Sequence, residues 1–142
     1  MTVLYTAVGV SSGAGREGRA RSSDGTLDLV MAPPKELGGS GEGSNPEQLF
    51  AVGYAACFRS ALLHVAREQG VRTGSSTVTA TVGIGPRADR PGFALTAALS
   101  VSLPDVPQDR RRPLVEAAHL VCPYSNAVRG NIAVDLAVED AP

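Results

Sequence analysis

Residues 49–58 restrict the possible folds of this chain more than any other segment. The preceding Asn-Pro-Glu at residues 45–47 has the residue types of a helix start, with Asn at the N-cap and Pro at the first helical position. Residues 49–58 are then apolar on every side, polar residues return only near His64, and Gly70 is a natural stop. Because a helix without a polar face is buried all round, the sequence predicts a buried central helix.

The remaining elements follow from hydrophobic alternation and from turn residues. Alternation with a period of two predicts short strands, and Gly- and Pro-rich stretches predict turns. A second helix is expected from Pro107 or Asp109 to Val121, with Pro113 tolerable only in its first turn. Pro123 ends that helix. The predicted strands are residues 27–31, 78–84, 93–103 and 132–138; the predicted irregular segments are 11–18, 33–44 and 85–92.

Helices and strands do not alternate regularly, so we predict an α+β fold with a mainly antiparallel sheet wrapped around the buried central helix. The length of 142 residues fits one domain, residues 1–142. A single sheet cannot cover all sides of an apolar helix, and a second subunit could cover the rest. We therefore expect an intimate, intertwined homodimer.

Charge and hydropathy exclude several partners. The net charge of -1 offers no bulk attraction for nucleic acid or anionic lipid. The basic run at residues 110–112 is interpreted as a solvated first turn of a helix. The first residues lack the basic and apolar regions of a signal peptide, and no window approaches the ~18–20 uninterrupted apolar residues of a membrane span. We expect a soluble, cytoplasmic protein with no membrane partner.

The chain has two cysteines, and by themselves they are most simply interpreted as buried, inert thiols. Cys57 lies in the apolar helix, where burial raises the pKa of a thiol, and Arg59 points about 200° around the helix from it. An activating charge must therefore come from elsewhere. Cys122 lies where a helix meets a Pro-containing loop, and such a junction can move. This placement suits a transient disulfide, but the pattern is weak by itself.

Two longer motifs give a specific resemblance. The segments 45–58 (NPEQLFAVGYAACF) and 121–132 (VCPYSNAVRGNI) closely resemble the signature segments of the organic hydroperoxide resistance proteins, the Ohr branch of the OsmC-like superfamily. Shorter matches at 4–7, 15–18, 22–25, 36–39 and 82–85 extend the resemblance over nearly the whole chain. Departures are Arg59-Ser60 after the first cysteine, and Val128 where Thr is usual.

The resemblance implies a metal-free and cofactor-free reduction of lipophilic organic hydroperoxides by cysteine, in an intertwined homodimer, with a lipoyl dithiol as reductant. The peroxidatic cysteine of the family matches Cys57, and the resolving cysteine matches Cys122. The activating arginine matches Arg16, and its acidic partner matches Glu47. A carboxylate can hold a guanidinium in place, and a nearby guanidinium favours a thiolate over a thiol.

The separation of Glu47 and Cys57 limits how these groups can meet. Ten residues on one straight helix correspond to about 15 Å along the axis. Either Gly53 marks a break in the helix, or Arg16 and Glu47 reach Cys57 of the other subunit. We favour the second hypothesis, because it also explains how the apolar helix is covered.

Two other functions compete with the peroxidase. His119 with Cys122, and Cys57 with His64, could supply four zinc ligands, although no CxxC or HxxxH pair supports such a site. A non-enzymatic carrier of hydrophobic ligands could use an apolar pocket at a dimer interface, but a carrier does not need two thiols.

Other polar residues of the second motif have less specific interpretations. Tyr124, Ser125 and Asn126 are interpreted as residues that shape a loop. Arg129 anchors either a chain end or a partner, and the sequence does not choose between them.

Overall fold

The computed structural model describes residues 1–139. Residues 1–49 form one compact unit, and a second unit begins at Phe50. Each unit contains its own three-stranded sheet. The sequence predicted a single sheet, so the division into two sheets is a correction, while the α+β class is confirmed.

The first unit is an antiparallel sheet in the order β1-β2-β3. Its strands are β1 (Gly9–Ser12), β2 (Arg19–Ser22) and β3 (Asp28–Val30), and 3-10 turns occupy Gly15–Glu17 and Lys35–Leu37. Across β2 and β3, the guanidinium of Arg19 donates two hydrogen bonds, of 2.6 and 2.9 Å, to the carboxylate of Asp28. The predicted strand near residues 27–31 is thus present, and residues 33–44 are largely irregular as expected.

Helix α1 (Pro46–Glu68) begins where the sequence predicts. The Asn45 Oδ1 atom accepts from the backbone N–H of Gln48 at 2.8 Å, and the Gln48 side chain accepts from the N–H of Asn45 at 3.1 Å. This reciprocal pair satisfies two N–H groups at the helix start. At the other end Gly70 has a φ of +65°, a conformation that glycine adopts without strain.

The second sheet has the order β4-β5-β6, with β4 (Thr77–Pro86), β5 (Phe93–Ser102) and β6 (Val134–Val138). Strands β4 and β5 form the predicted long antiparallel hairpin. Strand β6 pairs with β5 in parallel, because the chain returns through helices instead of a tight turn. The other described strand pairs are antiparallel, so the mainly antiparallel prediction is confirmed.

Two helices separate β5 from β6. Helix α2 (Gln108–Val121) has nearly the predicted bounds, and helix α3 (Pro123–Val128) follows it after a single residue. The sequence predicted a loop where α3 lies, because Pro123 was interpreted only as a stop, whereas proline also suits the first position of a new helix. Pro113 lies inside α2, beyond its first turn, so the restriction placed on it was wrong.

The core of the second unit lies between α1, α2 and the sheet. It is formed by Tyr54, Phe58, Leu62, Leu99, Val101, Leu103, Leu114 and Val115. Within the described residues α1 is buried along one side only, and Val52 is 70% exposed. The prediction that this helix is buried all round is therefore not met within one chain, because no element among residues 50–139 covers its other side.

Arg111 also differs from its prediction. It is only 8% exposed, and its Nε atom donates to the backbone oxygen of Val106 at 2.8 Å. The neighbouring Arg112 is exposed and pairs with Glu116 at 2.8 Å. Only part of the basic run is solvated, because the helix turns Arg111 toward the core.

Helix α1 has the length and composition of a helix that could cross a membrane. It has 23 residues, and an 18-residue window within it has a mean hydropathy of 1.5, although the window contains the charged Arg59 and is not an uninterrupted apolar run. The core helix of a soluble protein passes the same test. Tyr54, Phe58 and Leu62 have no exposed surface, which is the pattern of a helix packed into a protein core.

Candidate active site

The two cysteines meet in the second unit. The Sγ atoms of Cys57 and Cys122 lie 3.7 Å apart, and both thiols are free. Cys57 comes from the middle of α1 and is partly exposed, whereas Cys122 has no exposed surface. The structure therefore places a reachable thiol in contact with a buried one.

The position of Cys122 depends on the proline that follows it. Cys122 is the C-cap of α2 and has an extended backbone, with φ -64° and ψ 123°. A residue before proline is held away from the helical conformation by steric contact, so α2 ends here. The Cys122 N–H still donates to Ala118 at 2.9 Å, and its carbonyl accepts from Asn126 of α3 at 3.0 Å. Cys122 thus lies at a corner that hydrogen bonds on both sides hold in place.

Three aromatic side chains form a cluster beside the turns of α1 that precede Cys57. The ring centroids of Phe50, Tyr54 and Tyr124 lie between 5.8 and 6.0 Å from one another. Gly53, one turn before Cys57, lets Tyr124 approach closely, since a Cβ atom at Gly53 would lie 3.0 Å from the Tyr124 hydroxyl. The environment is apolar and suits a lipophilic substrate.

Burial raises the pKa of the Cys57 thiol above its ordinary value. A hydrogen bond from the backbone N–H of Tyr124 opposes this effect, and the neighbouring Cys122 adds to it. Among residues 50–139 no cation lowers the pKa of Cys57. The second unit by itself therefore favours the thiol over the thiolate, and a reactive Cys57 needs a positive charge from elsewhere.

Arg16 and Glu47 form an ion pair in the first unit. The Arg16 Nη2 atom lies 2.6 Å from Glu47 Oε2. Arg16 belongs to the 3-10 turn Gly15–Glu17, and Glu47 lies in the first turn of α1. The side chain of Glu47 is 14% exposed and that of Arg16 is 43% exposed. The carboxylate thus holds a guanidinium that keeps much of its surface free.

The four candidate residues thus form two pairs, Arg16 with Glu47 and Cys57 with Cys122. Helix α1 is continuous through Gly53, so the hypothesis of a helix break at that position is wrong. Glu47 and Cys57 remain separated along one unbroken helix.

Sequence reasoning missed a set of polar residues beside the thiols. The Tyr54 hydroxyl lies 2.9 Å from Ser125 Oγ, and the same oxygen lies 2.9 Å from His119 Nδ1. Ser125 was interpreted as shaping a loop, but it is fully buried in α3. Arg129 donates to the carbonyl of His119 at 3.0 Å, so it anchors the end of α2. No local pattern in the sequence could reveal these contacts between distant residues.

Of the four proposed zinc ligands, the two cysteines are in contact, but the complete set does not come together in the described part of the chain. His64 is exposed and lies 3.5 Å from Glu68, and residues 1–139 contain no group of three His, Cys, Asp or Glu side chains that could hold a metal. Arg59, whose role was open, donates to the carbonyl of Ser76 at 3.0 Å.

The sequence and the structure were compared with those of known proteins, and the comparison identifies a family. The OsmC-like protein family matches residues 39–137. An organic hydroperoxide resistance protein of Xanthomonas axonopodis pv. citri is 48% identical over 136 residues, which cover 94% of this chain and 94% of that protein. The crystal structure of organic hydroperoxide resistance protein OhrB of Bacillus subtilis superposes with a TM-score of 0.87 at 41% identity, covering 96% of this chain and all (100%) of the other. An organic hydroperoxide resistance protein structure from Legionella pneumophila has a TM-score of 0.92 at 44% identity and covers 98% and 100% of the two chains.

Proposed function

Because the chain belongs to the organic hydroperoxide resistance branch of the OsmC-like family, we propose that it is a thiol-dependent peroxidase that reduces organic hydroperoxides to alcohols. The family implies peroxide detoxification, and the contact between Cys57 and Cys122 carries the proposed chemistry. Two free thiols 3.7 Å apart can be converted to a disulfide with little rearrangement. The whole chain, residues 1–142, acts as one domain in this proposal.

The proposed reaction has three steps. The Cys57 thiolate attacks one peroxide oxygen, the O–O bond breaks, and the departing alkoxide takes a proton to become an alcohol. Cys57 is left as a sulfenic acid, and Cys122 condenses with it to a disulfide with loss of water. A dithiol of the lipoyl type then reduces the disulfide by exchange and supplies both electrons.

The roles of the two cysteines follow from their exposure. Cys57 is partly exposed, so a substrate can reach its sulfur, while Cys122 is fully buried. The aromatic side chains of Phe50 and Tyr124, which are not fully buried, favour a hydroperoxide with an apolar body. These contacts support Cys57 as the peroxidatic residue and Cys122 as the resolving residue.

Activation of Cys57 is assigned to Arg16, oriented by Glu47. Burial raises the pKa of Cys57, so a thiolate near neutral pH needs a cation beside it. Arginine suits this role because it stays charged in an apolar site. Since α1 is unbroken, we propose that Arg16 and Glu47 of one subunit act on Cys57 of the second subunit of a homodimer.

Exposed apolar side chains support the dimer. Leu4 is 96% exposed, Val30 is 59% exposed and Val52 is 70% exposed. The first unit also has an apolar pocket of about 370 Å³, with Val8, Val10, Leu27, Leu29 and Leu49 in its wall. Apolar surfaces of this extent mark interaction sites. A cytoplasmic location fits a protein whose thiols must return to the reduced state.

The same apolar pocket favours a second candidate function, the binding of hydrophobic ligands without turnover. A carrier would bind an apolar probe but would not consume peroxide, and its binding would not depend on Cys57. The test below distinguishes the two functions.

The test is peroxide consumption with cumene hydroperoxide and dihydrolipoamide. We expect the unaltered protein to turn over, Cys57→Ser to be inactive, and Cys122→Ser to consume about one equivalent of peroxide before it stops with this reductant. Ser102→Ala, which lies in β5 and removes one Oγ atom, is the matched control and should turn over normally. Loss of peroxide at the same rate with Cys57→Ser would contradict the proposal.

A further inference from the structure

Three polar side chains beside the thiols take no part in the chemistry proposed above. Ser125 Oγ is 2.9 Å from the Tyr54 hydroxyl and 2.9 Å from His119 Nδ1. Tyr54 and Ser125 have no exposed surface, and His119 is partly buried. We call these three residues the polar chain. Burying a polar group is unfavourable unless the group is hydrogen-bonded. The residues of the polar chain meet this condition through one another, which raises the question of what the polar chain does.

The polar chain connects the three helices that meet at the thiols. Tyr54 lies on α1, one turn before Cys57. His119 lies on α2 and Ser125 on α3, each three residues from Cys122 and on opposite sides of it. The polar chain therefore spans from the helix of one cysteine to both sides of the other.

The hydrogen bonds of the polar chain can all be made in one direction. Tyr54 donates to Ser125, and Ser125 donates to Nδ1 of a neutral His119, so each hydroxyl proton has one acceptor. Burial, followed by the positive charge of Arg129, lowers the pKa of His119 and favours this neutral ring. Arg129 also donates to the His119 carbonyl at 3.0 Å, and the rings of Phe58 and His119 lie 6.4 Å apart. His119 is thus held by its ring and by its backbone.

We propose that Tyr54, Ser125 and His119 are positioning residues that hold the corner bearing Cys122 against α1, and thereby set the rate of disulfide formation after Cys57 is oxidised. This inference rests on the proposed function. In the step concerned, the Cys122 sulfur bonds to the Cys57 sulfur and the S–O bond of the sulfenic acid breaks. The thiol proton leaves with the hydroxyl group as water. The sulfenic sulfur is reduced and the Cys122 sulfur is oxidised.

If the polar chain positions Cys122, a variant of it should change the condensation step and leave the attack of peroxide on Cys57 unchanged. Peroxide attack on Cys57 does not need Cys122 in place, whereas condensation depends on the distance between the two sulfurs. Loss of one hydrogen bond from the polar chain is therefore expected to lengthen the lifetime of the sulfenic acid by about three- to tenfold. The rate of the first oxidation should remain unchanged.

The experiment uses the full-length chain with Tyr54→Phe, Ser125→Ala and His119→Ala. Rapid chemical quenching after mixing with one equivalent of cumene hydroperoxide gives the rate of the first oxidation from the peroxide that remains. Trapping with dimedone gives the lifetime of the sulfenic acid. His119→Asn, whose side-chain oxygen or nitrogen lies near the Nδ1 position, should restore rapid condensation. His64→Gln, at the second and exposed histidine, is the matched control.

A second measurement does not depend on peroxide. The equilibrium between the Cys57–Cys122 disulfide and dithiothreitol reports how favourably the two thiols are placed. Each variant of the polar chain should shift this equilibrium toward the dithiol by a similar three- to tenfold factor, about the worth of one hydrogen bond. Tyr54→Phe keeps the aromatic ring, so it carries the test if a variant at Ser125 does not fold.

The outcomes separate the two proposals. If the unaltered protein consumes no peroxide, the proposed function fails, and the dithiothreitol equilibrium alone decides the positioning role. If the variants leave both the sulfenic acid lifetime and the equilibrium unchanged, the positioning role is overturned. Equal slowing of both oxidation steps would also overturn it, because that result indicates general damage to the site.

Discussion

The Sγ atom of Cys57 lies 3.7 Å from the Sγ atom of Cys122, with the first thiol partly exposed and the second fully buried. A disulfide requires about 2.05 Å between the sulfurs, so closure demands a movement of roughly 1.7 Å. Rotation of the two side chains and a small shift of the corner at Cys122 can supply it. The structure with two free thiols is therefore already close to the geometry that the proposed disulfide requires.

Arg16→Lys is expected to raise the pKa of Cys57. Lysine keeps a positive charge but loses the planar guanidinium that Glu47 holds at 2.6 Å. A rise of about one pKa unit would reduce the thiolate about tenfold near neutral pH. Thiolate absorbance at 240 nm against pH gives the pKa, and stopped-flow kinetics gives the rate. Arg90→Lys, in the exposed turn after β4, is the control; a Cys57 pKa unaffected by Arg16→Lys would contradict the role of Arg16.

Gly53→Ala is expected to displace the Tyr124 ring. The added Cβ would lie 3.0 Å from the hydroxyl and 3.2 Å from a ring carbon of Tyr124, closer than ordinary contact. Because the Tyr124 N–H bonds to the Cys57 sulfur, we expect kcat/KM for cumene hydroperoxide to fall several-fold, about the effect of weakening one hydrogen bond.

Gly74→Ala is the matched control for this change, since a Cβ at Gly74 meets no atom within 4 Å. Gly53→Ala also gains helix propensity of about 1 kcal/mol, so stability is measured in parallel by urea unfolding. Unchanged kcat/KM for Gly53→Ala would show that the approach of Tyr124 does not matter to the site.

The free energy of unfolding should fall as the pH drops below about 6.5, the ordinary pKa of histidine. The pKa of His119 is lowered in the folded state, first by burial and then by the charge of Arg129. The unfolded chain then binds the proton more readily, so the stability is present above the unfolded pKa and is lost as the pH falls toward the folded pKa. The check is a series of urea titrations between pH 5 and 7.

His119→Asn should flatten this part of the pH profile, and His64→Gln should leave the His119 contribution in place. Carboxyl groups with lowered pKa values, such as those of Asp28 and Asp89, contribute to the free energy of unfolding until a more acidic pH is reached. Their loss lies outside the range from pH 5 to 7. An identical slope with and without His119 would contradict the assignment.

Val52→Asp is expected to weaken the proposed dimer. Val52 is 70% exposed and lies in the apolar segment of α1, residues 49–58. A carboxylate buried at a subunit interface carries a large desolvation cost. Analytical ultracentrifugation should give about twice the chain mass of 14.6 kDa for the unaltered protein and a shift toward that single-chain mass for the variant. Ala88→Asp, in the turn between β4 and β5, is the control. A monomeric unaltered protein would overturn both the dimer and the shared site.

Local sequence patterns predicted the elements whose causes lie within a few residues. Asn45 and Pro46 predicted the start of α1, Gly70 predicted its end, and alternation predicted the β4–β5 hairpin. The family and three of the four candidate residues followed from two motifs, since Cys57 and Glu47 lie in one and Cys122 in the other. Arg16 followed from the shorter match at residues 15–18. These features depend on neighbouring residues and on the order of side chains, which the sequence contains directly.

Tertiary structure alone decided which distant side chains meet. The sequence did not reveal α3, the parallel pairing of β6, the burial of Arg111, or the contact of Ser125 with Tyr54. Each of these depends on packing between elements far apart along the chain, where the free energy of burial and of hydrogen bonding outweighs local preference. The sequence by itself therefore determined the start and end of α1, the β4–β5 hairpin and the family, because these depend on neighbouring residues. Only the packed fold decided the distance between the two sulfurs and the side chains that hold them.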